Sequence, residues 1–275
     1  RRLLAMDAYT TILDRITPAG LTGSVADTFG SSVAVEDFPA PLGAIASIER
    51  TGITPLEAEV VGFRQQKAIL FPFAPTGGVR QGAKVKLLRT SPVLRVGEQL
   101  LGRVVDAHGR AIDGRPRPML VNRVSLQREV PRAVDRPRID RPMETGIRAI
   151  DGLLRCGLGQ RLGIFAGAGV GKSVLLGMLS RYSQADVNVI ALVGERGREL
   201  NDFLERDLGP EGLARSVVVV STSDEPAVLR LQAAYTATTI AEYFRDQGKD
   251  VLLMVDSVTR FATALRETGL AAGEP

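Results

Sequence analysis

Two different spacings of apolar residues divide this chain. From Leu21 to Arg95 glycine and proline interrupt the sequence every few residues, and short β-rich runs lie between them: GSVADTF, GAIASIE, EAEVVGF, KAILFPF and AKVKLLR. Strands at that spacing, with no helix-length pattern among them, predict a small all-β domain over residues 21–95, a barrel or a sandwich. LLGRVVDAHGRAIDGRP adds one more strand and a tight turn around Gly109. Ahead of the β unit, residues 1–20 read as an amphipathic helical segment.

After Gly157 apolar runs alternate with helix-length segments. QRLGIFAG is followed by a helix from about Gly171 to Gln184, VNVIALVG by the charged helix ERGRELNDFLERDL, SVVVVSTS by a long helix to about Gln247, and DVLLMVDS by VTRFATALRETG. This alternation predicts a parallel sheet covered by helices with right-handed crossovers, so residues 96–275 comprise a connector and an α/β domain. The long helix fits that plan. Leu229, Ala233, Ala237, Ile240 and Phe244 fall on one face at helical spacing, and the alanines let it lie close on a sheet.

Composition narrows the class without choosing a function. The 275 residues are 44% apolar and 24% charged, ordinary for a folded domain, so a disordered chain is excluded. No apolar run reaches the roughly 20 residues that span a bilayer. Asp7, Thr10, Thr11, Asp14 and Arg15 break up any signal-peptide core near the start, and a cytosolic location is expected. Cys156, the single cysteine, has no internal disulfide partner and reads as a small buried residue rather than a nucleophile. The net charge of +4 is mildly basic, yet the arginines form no dense block that would grip nucleic acid or acidic lipid. In NRVSLQREVPRAVDRPRIDRPMETGIR seven arginines alternate with four acids and three prolines, which reads as a solvated connector with local ion pairs.

The candidate chemistry begins at GIFAGAGVGKSVLLGM, residues 163–178. A predicted buried strand ends at Ala166, a loop of Gly167, Ala168, Gly169, Val170 and Gly171 follows, and Lys172-Ser173 begin a helix. The glycines admit conformations that aim successive N–H groups inward, and the helix start adds its positive dipole end, so the loop makes a nest for a polyphosphate. Lys172 would reach the β- and γ-phosphates, and the Ser173 hydroxyl would ligate Mg²⁺. Ala166 replaces the first glycine of G-x-x-x-x-G-K-[ST], a strand-end position that needs no positive φ. The dinucleotide pattern G-x-G-x-x-G fails, because Lys172 stands at its last glycine.

Ligands of open α/β sheets bind beyond the carboxyl ends of the strands, and two acids are predicted there. Asp256 closes VLLMVD, the position from which a carboxylate holds Mg²⁺ through a water. Glu195 follows VIALVG and would orient and deprotonate an attacking water. Taken singly, either acid is also explained as a helix cap.

TGIRAIDGLLRCGLGQRLGIFAGAGVGKS, GERGRE and LLMVDSVTRFATALRETGLAAGEP resemble the catalytic nucleotide-binding domain of the rotary ATPase group, and within it the flagellar and type III protein-export ATPases. LLGRVVDAHGRAIDG belongs to the same pattern, so the resemblance runs from about Leu21 to the last residue. It implies an N-terminal β-barrel and a RecA-like P-loop domain. The rest of that domain, the arginine finger and a C-terminal helical domain would lie beyond Pro275. An arginine finger supplies on the order of 10³–10⁵ in rate, so the 275-residue chain alone is expected to hydrolyse ATP poorly.

By the same resemblance Lys172 and Ser173 are the phosphate-loop residues, Glu195 the catalytic glutamate and Asp256 the Walker-B aspartate. Arg196, in GER, and Arg260, in DSVTR, would face the γ-phosphate, although a surface or interface salt bridge explains either arginine equally. The implied cofactors are ATP and Mg²⁺. The implied assembly is a homohexamer, cytoplasmic and peripheral to the inner membrane. Its partners would be a regulatory stator-like protein, a central stalk protein, the export gate and chaperone–substrate complexes, with no nucleic acid. FATALRETG departs slightly from the usual run after the Walker-B segment, which leaves flagellar and virulence-type export both open.

Two rivals remain. A catalytic subunit of a rotary F- or V-type ion-motive ATPase usually has a second glycine before the loop and Thr after the lysine, where this chain has Ser173. A Rho-like nucleic-acid motor would stack bases on aromatics of its β unit. Here Phe29, Phe38, Phe63, Phe71 and Phe73 mostly sit in apolar strand runs and read as core.

Overall fold

Short strands with one apolar face stabilise each other only if those faces meet, and a closed barrel achieves this without leaving a free edge. The computed structural model describes residues 20–167 and 169–274. The expected helix over residues 1–20 lies outside them, apart from Gly20. Six strands, β1 (Thr22–Phe29), β2 (Ser32–Glu36), β3 (Ile45–Ile48), β4 (Leu56–Arg64), β5 (Lys67–Pro72) and β6 (Lys84–Arg89), close in the order β1-β2-β5-β4-β3-β6 with antiparallel pairing throughout.

Alternation sets the core of this unit: Leu56, Ala58 and Val60 of β4 are buried while Glu57, Glu59 and Val61 between them are not. The inward set includes Val25, Val33, Val35, Ile48, Leu70 and Val85. Strand β2 shows no alternation, since Ser32 to Val35 are all buried, and the sequence pattern does not announce it. A side chain on Gly23 would place its Cβ 2.5 Å from the Glu36 carbonyl oxygen, so glycine is what lets β1 approach β2 there.

The aromatic residues divide. Phe38 and Phe71 are buried as expected, whereas Phe29 and Phe63 are exposed. The reason is position at hairpin tips. Because Val33 lies opposite Leu70 and Val35 opposite Ala68, the β1–β2 and β4–β5 turns project from opposite ends of the barrel. The two rings therefore cannot form one stacking platform.

The second unit contains a parallel sheet in the order β14-β12-β13-β8, from β8 (Arg103–Val105), β12 (Val187–Glu195), β13 (Ser216–Thr222) and β14 (Val251–Asp256). Two small antiparallel pairs flank it in sequence, β7 (Val93–Val96) with β9 (Asn122–Ser125), and β10 (Pro142–Met143) with β11 (Cys156–Gly157). The helices are α1 (Arg148–Leu153), α2 (Lys172–Tyr182), α3 (Gly197–Asp202), α4 (Gly209–Ala214), α5 (Ala227–Asp246) and α6 (Val258–Ala272). The single charged helix expected from ERGRELNDFLERDL is broken by a π turn, Phe203–Leu208, between α3 and α4, which sends Phe203 and Leu208 into the core.

Val187 to Gly194 of β12 are all buried, the mark of a strand covered on both faces. On one face Ile190 and Leu192 pack with Val218 and Val220 of β13, Met254 of β14 and Leu176 and Leu179 of α2. Helix α5 buries the predicted stripe Leu229, Ala233, Ala237, Ile240 and Phe244. Its Thr236 hydroxyl donates to the Ala107 carbonyl at 2.6 Å. The arginine-rich stretch has a local ion pair of the kind its sequence implies, Arg132 with Asp135 at 2.8 Å, while Arg128 pairs instead with the distant Asp246 of α5 at 2.9 Å. Among the described residues no helix is long and apolar enough to cross a membrane.

A further expectation fails. Residues 160–167, QRLGIFAG, form no strand and are exposed. A parallel strand is stable when layers cover both faces, but here Leu162 is 61% and Phe165 97% exposed, and among the described residues β14 is the edge strand of the sheet. Phe165 folds back instead, its ring 2.6 Å from where a Cβ on Gly163 would sit.

Two charged groups test the fold. Glu59 lies on β4 between Ile45 of β3 and Phe71 of β5, and burial pushes its carboxyl up from 4.5 to about 7. The folded chain holds this proton more tightly than the unfolded chain, so the contribution is full below pH 4.5 and is lost as pH rises toward 7. At most about 3 kcal/mol is involved. Thermal unfolding followed from about pH 5 to pH 8 should show a midpoint that falls with pH, and Glu59→Gln should flatten that dependence. Arg103 and Asp113, each with only 10% of its side chain exposed, form a bidentate pair at 2.6 and 2.7 Å that Arg115 joins at 3.0 Å. Asp113→Ala leaves Arg103 buried without its carboxylate and should destabilise the unit by about 3–5 kcal/mol, read as a lower urea midpoint.

Candidate functional site

The loop before α2 has the backbone its glycines allow. Gly169 has φ +76° and Gly171 φ +99°, both in the region where an L side chain is strained. Gly171 is the N-cap of α2 and no side chain caps that end, so the first N–H groups of the helix are left for a ligand. Gly167 and Val170 flank the turn, with Val170 exposed, while Ala168 lies outside the described residues.

The carboxylates arrive at the same place through strand register. Parallel pairing of β12 with β14 puts Leu192 beside Asp256. In a regular strand Glu195 would share the face of Val193, away from Leu192. Between Val193, opposite Ser221, and Glu195, opposite Thr222, the pairing slips by one residue, and Gly194 at φ +68° is the extra one. This bulge re-aims Glu195 to the side of Leu192 and Asp256. Gly194 also lies under Arg260 of α6, whose Cδ would be 3.1 Å from a Cβ there.

A cleft of about 230 Å³ results, lined by Ser173, Leu192 and Phe203 and by five acids: Glu195, Glu199, Asp202, Asp207 and Asp256. Lys172 Nζ donates to Asp256 Oδ1 at 2.5 Å. Arg260 pairs with Glu195 Oε2 at 3.0 Å and donates to the Gly194 carbonyl. Arg196 points outward, 77% of its side chain exposed, and pairs with Glu199 Oε1 at 3.3 Å. Burial holds the Glu195 carboxyl above the usual carboxylate range, and its hydrogen bond with Glu199 adds to this, against the smaller pull of Arg260. Glu199, accepting that bond, is held below its ordinary value.

The structure brings Lys172, Ser173, Glu195, Asp256 and Arg260 together, and engages both arginines in ion pairs with acids of the cleft. Sequence reasoning missed Glu199, Asp202 and Asp207. The signal for Glu199 was its spacing four residues after Glu195, across the start of α3, where an acid in a first helical turn also has an ordinary structural explanation. The donor set is all oxygen, which suits a hard cation. Among the described residues no three His, Cys, Asp or Glu converge as a ready-made metal cage.

Comparison with known proteins gives this geometry its relatives. A family model described as the ATP synthase alpha/beta family, nucleotide-binding domain, matches residues 146–275. The flagellum-specific ATP synthase of Caulobacter vibrioides is 47% identical over 273 residues, covering 98% of this chain and 62% of that protein. The type 3 secretion system ATPase of Xanthomonas euvesicatoria is 49% identical over 254 residues, 92% of this chain and 58% of that protein. Among solved structures, the assembled ATPase EscN in complex with its central stalk EscO, from the enteropathogenic E. coli type III secretion system, has a TM-score of 0.85 and 48% identity, covering 92% of this chain and 62% of that one. The chain therefore spans about three-fifths of the length of these relatives. The chain is similar over residues 146–275 to the nucleotide-binding domain of the ATP synthase alpha/beta family, and over nearly all of its length to both flagellum-specific ATP synthases and type 3 secretion ATPases.

Proposed function

We propose that this chain is the ATP-hydrolysing part of a protein-export ATPase, flagellar or type III, working with ATP and Mg²⁺. The observation that carries the reading is the convergence of Lys172, Ser173, Glu195 and Asp256 in one cleft beside an uncapped helix start. The N–H groups of Gly167 to Gly171, with Ala168 and Val170 between the glycines, cradle the phosphates. Lys172 moves from Asp256 to the γ-phosphate and neutralises charge there as the bond to the leaving ADP breaks. Glu195 aims a water at the γ-phosphorus and takes its proton as the new P–O bond forms. Ser173 and Asp256 would hold the metal, and bound Mg²⁺ would supply charge neutralisation at the phosphate oxygens. Arg260 and Arg196 are the cations available to the γ-phosphate once they leave Glu195 and Glu199.

EscN is described as assembled and in complex with its central stalk EscO, which supports a homohexameric ring on a stalk protein for this chain too. The full reading adds a cytoplasmic ring peripheral to the inner membrane. A regulatory stator-like protein, the export gate and chaperone–substrate complexes are its partners, and nucleic acid is not.

Turnover of Mg-ATP per chain, measured beside Lys172→Ala over a range of protein concentrations, tests the assignment. Loss of the rate in the variant is expected, and an unchanged rate would sink the reading. Glu195→Gln should lower turnover about 10²-fold or more while leaving nucleotide affinity within a few-fold. The base must be ionised to act, so activity should rise with pH through a midpoint above the ordinary glutamate value. Glu199→Gln replaces the carboxylate that helps hold the proton on Glu195 with a neutral amide that can also donate to the ionised form, and should move this acid limb to lower pH.

A further inference from the structure

We propose that Glu225 is a positioning residue for the reaction: its hydrogen bond with Ser221 fixes the turn between β13 and α5, and that turn holds the Gly194 bulge that aims Glu195. The inference rests on Glu195 being the base and goes beyond that assignment.

The aim of Glu195 has two supports, and one of them is conditional. Arg260 donates to the Gly194 carbonyl and pairs with the Glu195 carboxylate. Once Arg260 turns to the γ-phosphate, that hold is gone. The second support is independent of phosphate. The Ser223 N–H donates to the Glu195 carbonyl at 3.1 Å, at the point where the pairing of β12 with β13 has slipped. Arg230 of α5 donates its Nε–H to the Glu225 carbonyl at 3.3 Å, and its Cδ would lie 3.6 Å from a Cβ on Gly194. Both contacts lead back to the turn of residues 222–225.

Hydrogen bonds, rather than packing, give that turn its shape. Ser223 and Asp224 at its tip are exposed. The Glu225 N–H donates to the Thr222 carbonyl at 3.2 Å, and the Glu225 carboxylate accepts from the Ser221 hydroxyl at 2.5 Å. Ser221 is a firm anchor because it stands inside the sheet, fully buried, opposite Val193 and just before the bulge. A hydroxyl buried there is costly without an acceptor, and Glu225 supplies one. The bond draws Glu225 back to the strand end and keeps the Ser223 N–H over the Glu195 carbonyl. Glu225 does not line the cleft, so it acts on the reaction only through its neighbours.

Loosening this turn should separate rate from affinity. The loop and Lys172 that grip phosphate are untouched, whereas a base displaced by about 1 Å loses up to on the order of 10²-fold in rate. Burial is the main cause that raises the Glu195 carboxyl, so a Glu195 that swings outward titrates lower.

The experiment compares the unaltered protein with Glu225→Ala, Glu225→Gln, Ser221→Ala and the double variant Glu225→Ala/Ser221→Ala. Single-turnover hydrolysis of Mg-ATP with protein in excess reads the rate, fluorescent ADP reads the affinity, and thermal melting checks the fold. Glu225→Ala should lower the rate about tenfold or more, keep ADP affinity within about twofold, and move the acid limb of the pH profile to lower pH. Ser221→Ala should match it, and the double variant should lose no more than either alone, because all three lack the same bond. Glu225→Gln, whose amide oxygen still accepts from the hydroxyl, should keep the rate within about threefold. An unchanged rate in Glu225→Ala overturns the proposal. So does an affinity that falls in step with the rate, or a Glu225→Gln as slow as Glu225→Ala. If Glu225→Ala fails to fold, Ser221→Ala decides, and failure of both to fold assigns the bond to stability alone and overturns its role in aim. A rate in the unaltered protein no higher than in Lys172→Ala removes the reading of Glu195 as the base and this inference together.

Discussion

A strand that is apolar on both faces can pair only inside a sheet, and β12 imposes that constraint on everything at its carboxyl end. Its buried run from Val187 to Gly194 draws β13 and β14 alongside in parallel and leaves no choice of side. Burying a single valine, leucine or isoleucine is worth roughly 1.5–3 kcal/mol, and β12 and β13 supply several of each other's contacts. Surface ion pairs contribute at most about 1 kcal/mol apiece, so the hydrophobic register decides where the charges stand, not the reverse. Asp256 comes to lie at the cleft because Val187 pairs with Val251 at the other end of the strand.

Burial on this scale also explains how one cleft tolerates so many acids. Glu195, Glu199, Asp202, Asp207 and Asp256 line it together, and like charges so placed repel. Three devices offset the repulsion. Lys172 pairs with Asp256, Arg260 pairs with Glu195, and Arg196 reaches Glu199 from outside. Without phosphate the two most enclosed acids, Asp256 and Glu195, each have a cation beside them.

The sequence is informative wherever burial is one-sided. Alternation in EAEVVGF marks β4, and the 3.6-residue stripe through Leu229, Ala233, Ala237, Ile240 and Phe244 marks α5, because each element exposes its other face. The pattern is silent at β2, where four successive residues are buried and no period survives. It misleads at QRLGIFAG, whose apolar run has strand character but, with nothing to cover Leu162 and Phe165, does not pair. At the site, Lys172, Ser173, Glu195 and Asp256 are legible from their place at strand ends and helix starts. Their partners are not. That Lys172 rests on Asp256, and Arg260 on Glu195, depends on side chains 84 and 65 positions apart in sequence.

The bulge at Gly194 bears on how such a site can be lost or gained. Strands have a parity, and one added residue inverts it for every side chain that follows in the same strand. Glu195 is the last residue of β12, so the inversion falls on a single side chain and the rest of the sheet does not register it. Deleting Gly194 would leave the acid in the sequence and turn it to the wrong side, with the pairing before it untouched. In this architecture the identity of the acid and its aim are separate inheritances, and a chain can keep the first while a single-codon deletion abolishes the second.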